Sequence, residues 1–168
     1  FEVIEASWLF GLPIDRIDVV IHRQSVVHSL VEFVDGALLA HLGKTDMQLP
    51  IQYALTHPNR SRSPFGRFNL AEAGQLTFSQ PDRVNFPCLD LCYSAGKMGG
   101  TAPTALNAAN EVAVGAFLGG KIGFLDIHAL NSDLLAAHQL QSAFDIEDIL
   151  QVDAEIRMAA NKWIECRV

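Results

Sequence analysis

Apolar positions along this chain change their spacing several times. Residues 1–10, FEVIEASWLF, set Val3, Ile4, Trp8, Leu9 and Phe10 among acids in a helical pattern, and Gly11 and Pro13 mark its end. Asp18-Val19-Val20-Ile21-His22 is a short β-branched run that predicts a strand. HSLVEFV (28–34) and ALLAHL (37–42) then flank Asp35-Gly36. That pair predicts a hairpin with a two-residue turn, both turn residues at positive φ. Both faces of the hairpin are apolar. One face is expected to cover helices, and the other to be covered too or to meet another subunit. MQLPIQYALTH (47–57) predicts one more helix, with Pro50 in its first turn and His57-Pro58 at its end.

Residues 57–82 lose this periodicity. HPNRSRSPFGR is rich in Pro, Ser and Arg, so the segment predicts a surface linker, anchored by Phe65, Phe68, Leu70, Leu76 and Phe78. From residue 83 onward the pattern is helical. Pro87 opens a helix that Gly99-Gly100 breaks, and Thr101 is placed to cap the next. TALNAANEVAVGAFL is almost wholly small and apolar, which predicts a buried central helix. Asp126 is placed to cap a third helix with Ile127, Leu130, Leu134 and Ala137 on one face. Ile149, Val152, Ile156, Ala159 and Trp163 repeat near the helical period in a fourth. The predicted fold is α+β. It places a remnant with a β-hairpin interface at 1–56, a linker at 57–82 and a four-helix-bundle-like unit at 83–168.

Composition narrows the function classes. The 168 residues carry a formal charge of −7, which argues against a nucleic-acid footprint. No apolar run reaches the roughly 18 residues of a membrane helix. Three cysteines, an odd number, argue against a disulfide framework and for a reducing, cytoplasmic compartment. The first residues read as the middle of an amphipathic helix, so the chain is expected to be cut from something longer.

Candidate chemistry is sparse. Cys88 and Cys92 stand four apart without further ligands at zinc spacing, so they read as buried small hydrophobes, and Cys166 as inert. His22-Arg23-Gln24-Ser25-Val26-Val27-His28 is polar where a strand should end, which draws attention to Ser25 and His28. Glu2 and Glu5 are three apart on one helical face. Such a pair suits a hard cation such as Mg²⁺ or Mn²⁺, although on a surface helix it is more often a solvated face. Asn107, Asn110 and Glu111 read as structural groups inside the apolar helix, their buried amides satisfied by neighbouring backbone.

Several segments in series are far more specific: FEVIEASWLF, VVIHRQSVVHSLVEFVDGALLAHLG, TDMQLPIQYALTHPNR, FPCLDLCYSAGKMGG and TALNAANEVAVGAFL. Together they resemble the 1-deoxy-D-xylulose 5-phosphate reductoisomerase family, the NADPH-dependent enzymes of non-mevalonate isoprenoid synthesis. The resemblance covers only the later part of that family. It implies the end of a catalytic domain followed by a C-terminal helical domain, with the nucleotide-binding domain lying upstream. It further implies that Glu2 is a carboxylate ligand of Mg²⁺ or Mn²⁺, with Glu5 beside it. His28 would stand at the edge of the active site with Ser25 in the same loop, and Met47 at the mouth of the substrate pocket. The position two before Met47, often Pro in the family, is Thr45. The family's reaction yields 2-C-methyl-D-erythritol 4-phosphate. The resemblance also implies a homodimer through the sheet, matching the hairpin at 28–42. This chain alone is expected to be inactive and to bind neither metal nor NADPH tightly. The competing expectation is a non-catalytic helical binding or assembly module.

Overall fold

The computed structural model describes residues 1–141 and 145–167. In chain order these residues form α1 (Glu2–Phe10), a 3₁₀ turn (Ile14–Arg16), β1 (Val27–Glu32), β2 (Leu38–Leu42), α2 (Gln48–Thr56), α3 (Leu70–Ala73), α4 (Cys88–Met98), α5 (Ala102–Leu118), α6 (Phe124–Ala137) and α7 (Ile146–Glu165). The mixture is α+β, as expected. The chain divides into two compact units, one of Phe1–Val19 with Pro81–Val168 and one of Val20–Gln80. Among the described residues no helix is long and apolar enough to cross a membrane.

In the first unit α5 is the buried centre. Ala105, Ala108, Ala109 and Ala113 are at most 1% exposed, and their small side chains let α6 and α7 approach closely. Leu130 of α6 and Val152, Ile156, Ala160 and Ile164 of α7 complete this core. The side of α5 carrying Ala102 and Leu106 joins a second cluster. It contains Val3, Ile14, Cys92, Ala95 and Leu135, with Val19 packed against it. Polar contacts lock the helices. Arg157 of α7 donates to Asp153 and reaches Glu111 of α5. Trp163 donates to Asp133 at 2.9 Å.

Several local expectations change here. Thr101 does not cap α5 with its side chain. Its wholly buried hydroxyl instead bonds His138 Nε2 at 2.7 Å and accepts from the Gln141 amide at 3.2 Å. Gly100 beside it has φ +50°, and a Cβ there would stand 2.4 Å from the Gln141 carbonyl oxygen. This close approach of two chain segments needs glycine. Asp126 is not the N-cap of α6. It sits one turn in and accepts from the Gly123 amide at 2.8 Å, because Gly123 occupies the cap position. Asn107 and Glu111 lie on the exposed face of α5, since the alanine stripe points the other way. Asn110 is satisfied by a side chain: its carbonyl oxygen accepts from buried Asn131 at 3.0 Å.

The second unit is built around the hairpin. Residues 18–22 are not a strand; only Ile21 pairs, through an isolated bridge to Ser79. β1 and β2 are antiparallel. Their turn is one residue longer than the expected two-residue form. The Gly36 amide donates to the Phe33 carbonyl, the Phe33 amide to the Ala37 carbonyl, and the Asp35 carboxylate accepts from the Ala37 amide. Gly36 has φ +84°, while Asp35 keeps an ordinary negative φ. This is a three-residue loop with glycine at the left-handed position. Neither hairpin face is buried, contrary to the expected helical cover, and α2 also carries no buried residue. Two short strands and one nine-residue helix leave no layer to cover the sheet.

Candidate functional site

Glu2 and Glu5 lie in the first turn of α1, in the first unit. Both are exposed. Acids there are favoured by the helix dipole whatever else they do. Two hard carboxylate oxygens suit a Mg²⁺ or Mn²⁺ ion in kind. Among the described residues, however, no three His, Cys, Asp or Glu side chains converge, so the shell these two could offer is incomplete.

Ser25, His28 and Met47 lie in the second unit, where the backbone is irregular. The Ser25 amide donates to the His22 carbonyl at 3.0 Å, closing a tight turn. Ser25 itself has φ +51°, and it is the sole non-glycine residue at positive φ among those described. Three residues later the ladder slips. Val27 pairs with Leu42 and Ser29 with His41, so His28 is the extra residue of a β-bulge. A bulge bends its strand and re-aims the side chain it carries. The His28 ring is exposed, tilted against His41 with centroids 5.7 Å apart. Gly43 is buried under it; a Cβ at that position would meet His28 Nε2 at 3.5 Å.

The loop before α2 is drawn to the same turn. The Thr45 hydroxyl donates to the Ser25 carbonyl at 2.8 Å. The Asp46 carboxylate accepts from the Gln48 amide at 2.8 Å, which organises the entry to the helix. Met47, two residues after Thr45, is 69% exposed at the N-terminal edge of α2.

A polar clip backs the turn. His22 Nδ1 lies 2.8 Å from the Thr77 carbonyl. A carbonyl only accepts, so that nitrogen carries the proton. Its ring stacks on Phe78 at 4.5 Å. The Gln24 amide nitrogen donates to the Gln75 carbonyl, and its oxygen accepts from the Thr77 hydroxyl at 3.0 Å. The segment 57–82 is thus held beside the candidate turn by side chains. Sequence reasoning passed over His22, Gln24 and Thr45 as partners. The polar runs His22-Arg23-Gln24-Ser25 and Lys44-Thr45-Asp46 on either side of the hairpin were the available signal.

The cysteines offer no site. Cys92 is buried, and burial, with Cys92 nearby, pushes the Cys88 thiol up, which leaves it a poor nucleophile.

Residues 42–159 match the DXP reductoisomerase C-terminal domain. The chain belongs to this family. The 1-deoxy-D-xylulose 5-phosphate reductoisomerase of Desulforamulus reducens is 55% identical over 163 residues, covering 97% of this chain and 42% of that protein. The one from Listeria welshimeri is 52% identical over 157 residues, covering 93% and 41%. Among solved structures, the Zymomonas mobilis reductoisomerase in complex with NADPH superposes with a TM-score of 0.92 at 40% identity, covering 98% of this chain and 43% of that one. A DOX-P reductoisomerase in complex with NADPH, fosmidomycin and magnesium gives 0.90 at 43% identity, covering 98% and 42%. The chain spans about two fifths of the length of the curated relatives it matches. Met47 falls inside the stretch matched to the C-terminal domain of the reductoisomerases, whereas Glu2, Ser25 and His28 precede it.

Proposed function

We propose that this chain is the later part of an NADPH- and divalent-metal-dependent 1-deoxy-D-xylulose 5-phosphate reductoisomerase. It would contribute the end of the catalytic domain (1–56), a linker (57–82) and a C-terminal helical domain (83–168) to a cytoplasmic enzyme. The observation that carries the reading is the pair of backbone irregularities at Ser25 and His28, three residues apart. Strained turns and bulges cluster where side chains must be aimed at a ligand.

In this reading Glu2, with Glu5 beside it, contributes carboxylate oxygens to a Mg²⁺ or Mn²⁺ ion whose other ligands come from elsewhere in the enzyme. The ion, when bound, supplies Lewis acidity toward the oxygens of the sugar phosphate. NADPH supplies the hydride and takes no residue from this chain. Ser25 offers a hydroxyl that makes no hydrogen bond of its own among the described residues. The exposed His28 ring can donate or accept a proton at the substrate's oxygens. Met47 gives the pocket mouth an adaptable apolar edge.

The test is NADPH oxidation with 1-deoxy-D-xylulose 5-phosphate in the whole enzyme. His28→Ala is expected to lower kcat/KM by about 10²-fold or more with an unchanged melting temperature. Full activity in that variant would reject the assignment. The isolated 168-residue chain is expected to show no turnover and no tight Mn²⁺ site.

A second reading, self-association, is supported by the uncovered hairpin. Val34 is 104% exposed, Leu38 63% and Leu39 62%. The reading is a homodimer or higher self-association through residues 28–42, and a single 18.4 kDa species in light scattering at high concentration would sink it.

A further inference from the structure

Ser25 stands in a conformation that an L-residue holds only when its neighbours impose it. Two hydrogen bonds impose it. One, from the Ser25 amide to the His22 carbonyl, is made by backbone and survives any side-chain change. The other runs from the Thr45 hydroxyl to the Ser25 carbonyl across 20 positions of sequence and depends on a single side chain.

We propose that Thr45 is a positioning residue for the reductoisomerase reaction, its hydroxyl locking the left-handed Ser25 turn and so aiming the Ser25 hydroxyl. The inference rests on reading Ser25 as part of the active site. The Ser25 side chain has no hydrogen bond among the described residues, so what its backbone fixes is the Cα–Cβ direction from which the hydroxyl is presented. The bond that sets the backbone is exposed. Water offers both partners equivalent bonds, so it adds little to global stability. Its effect lies in choosing one local conformation over others. The donor is itself held. Asp46 donates its amide to the Lys44 carbonyl at 2.8 Å, and Lys44 donates to the Phe65 carbonyl at 3.3 Å. The same bond joins the loop leading to Met47 to the turn bearing Ser25. It thereby links the two segments that carry these candidate pocket residues. Valine at 45 would keep the shape and lose the donor; serine would keep the donor and lose only a methyl group.

The experiment uses the whole reductoisomerase with 1-deoxy-D-xylulose 5-phosphate and NADPH. Thr45→Val and Thr45→Ser are each made in the parent and in a Ser25→Ala background. Misplacement of a positioned group by a fraction of an ångström supports an expected loss in kcat/KM of about 10-fold for Thr45→Val. Thr45→Ser is expected to return to within about 2-fold of the parent, since the hydroxyl is restored. In the Ser25→Ala background Thr45→Val is expected to cause no further loss, because residues acting through one group are not additive. Equal losses in both backgrounds, or no loss in the parent, would overturn the inference while leaving Ser25 in the site. Full activity of Ser25→Ala alone would overturn the reading of the site and the inference with it. If Thr45→Val lowers the melting temperature, Thr45→Ala, which adds no branch, takes its place in the same comparison and is judged by the same outcomes.

Discussion

The two units of this molecule are held together by different physics. In the unit of residues 1–19 and 81–168, alanines on one stripe of α5 vanish from solvent and bring three helices into contact around Leu106 and Leu130. In the unit of residues 20–80, Gly43 is the sole buried residue. Its segments are joined instead by side-chain-to-backbone bonds from His22, Gln24, Lys44, Thr45 and Gln52. Burial gives the first unit a global stability to which every core residue contributes. The second has little apolar surface withdrawn from water, so its conformation is decided bond by bond. The irregular backbone proposed to carry the site belongs to the second. Strain at Ser25 is thus held by named polar contacts, of which the Thr45 bond is open to removal by a side-chain change.

The sharpest way to break this contrast is truncation of one leucine in each unit. Leu130→Ala removes a side chain that is 0% exposed and is expected to cost about 2–5 kcal/mol. Leu39→Ala, at a 62% exposed position, is expected to change the stability of the isolated chain by less than about 0.5 kcal/mol. Urea midpoints compare the two directly; equal shifts would show that the hairpin has a core of its own.

Next in size is the contact between the α4–α5 turn and the chain after α6. Gly100→Ala meets both a positive φ and the Gln141 carbonyl, and is expected to destabilise by about 2 kcal/mol. Thr101→Val leaves His138 and the Gln141 amide without their shared partner, at about 1–3 kcal/mol. A neutral result for both in thermal denaturation would mean that polar contacts matter no more in the helical unit than apolar ones do in the hairpin.

The proposed self-association sharpens the comparison from the other side. If the hairpin's apolar surface is buried only between copies, Phe33→Glu should raise the dissociation constant at least about 10-fold, the worth of one buried aromatic side chain. Sedimentation equilibrium would read it. An unchanged constant would place the contact elsewhere.

The smallest effect is a pH dependence. Burial holds His138 below its ordinary value, with Glu155 opposing weakly. Its hydroxyl partner, Thr101, also accepts from Gln141, which suits a neutral ring. As pH falls below about 6.5 the unfolded chain takes up a proton that the folded chain resists. The stability contribution is therefore present above that pH and is lost as pH falls toward the lower folded value. Urea midpoints at pH 7.5 and 5.5 should differ more in the parent than in His138→Gln. The same slope in both would assign the pH response to other groups.

The helical half was legible because its determinants are local. Alanine and leucine at helical spacing, with Gly99-Gly100 and Gly119-Gly120 as breaks, name α4 to α7 and single out α5 as the buried one. Hairpin and α2 were legible for the same reason, and the ordered motifs were enough to name the family. What sequence alone could not determine depends on partners distant along the chain. Residues 18–22 have the composition of a strand, yet a strand exists only where another offers a ladder, and here Ser79 alone does. The bulge at His28 follows from how β1 meets β2, and the left-handed turn at Ser25 is tied to a hydroxyl 20 residues away as well as to the His22 carbonyl. Thr101, in every local respect a helix cap, is claimed by His138 and Gln141 because folding brings them to a hydroxyl that burial obliges to find partners. Local periodicity decides which segments are helices and strands; the irregularities that aim side chains are decided only when remote polar groups compete for the same few hydrogen bonds.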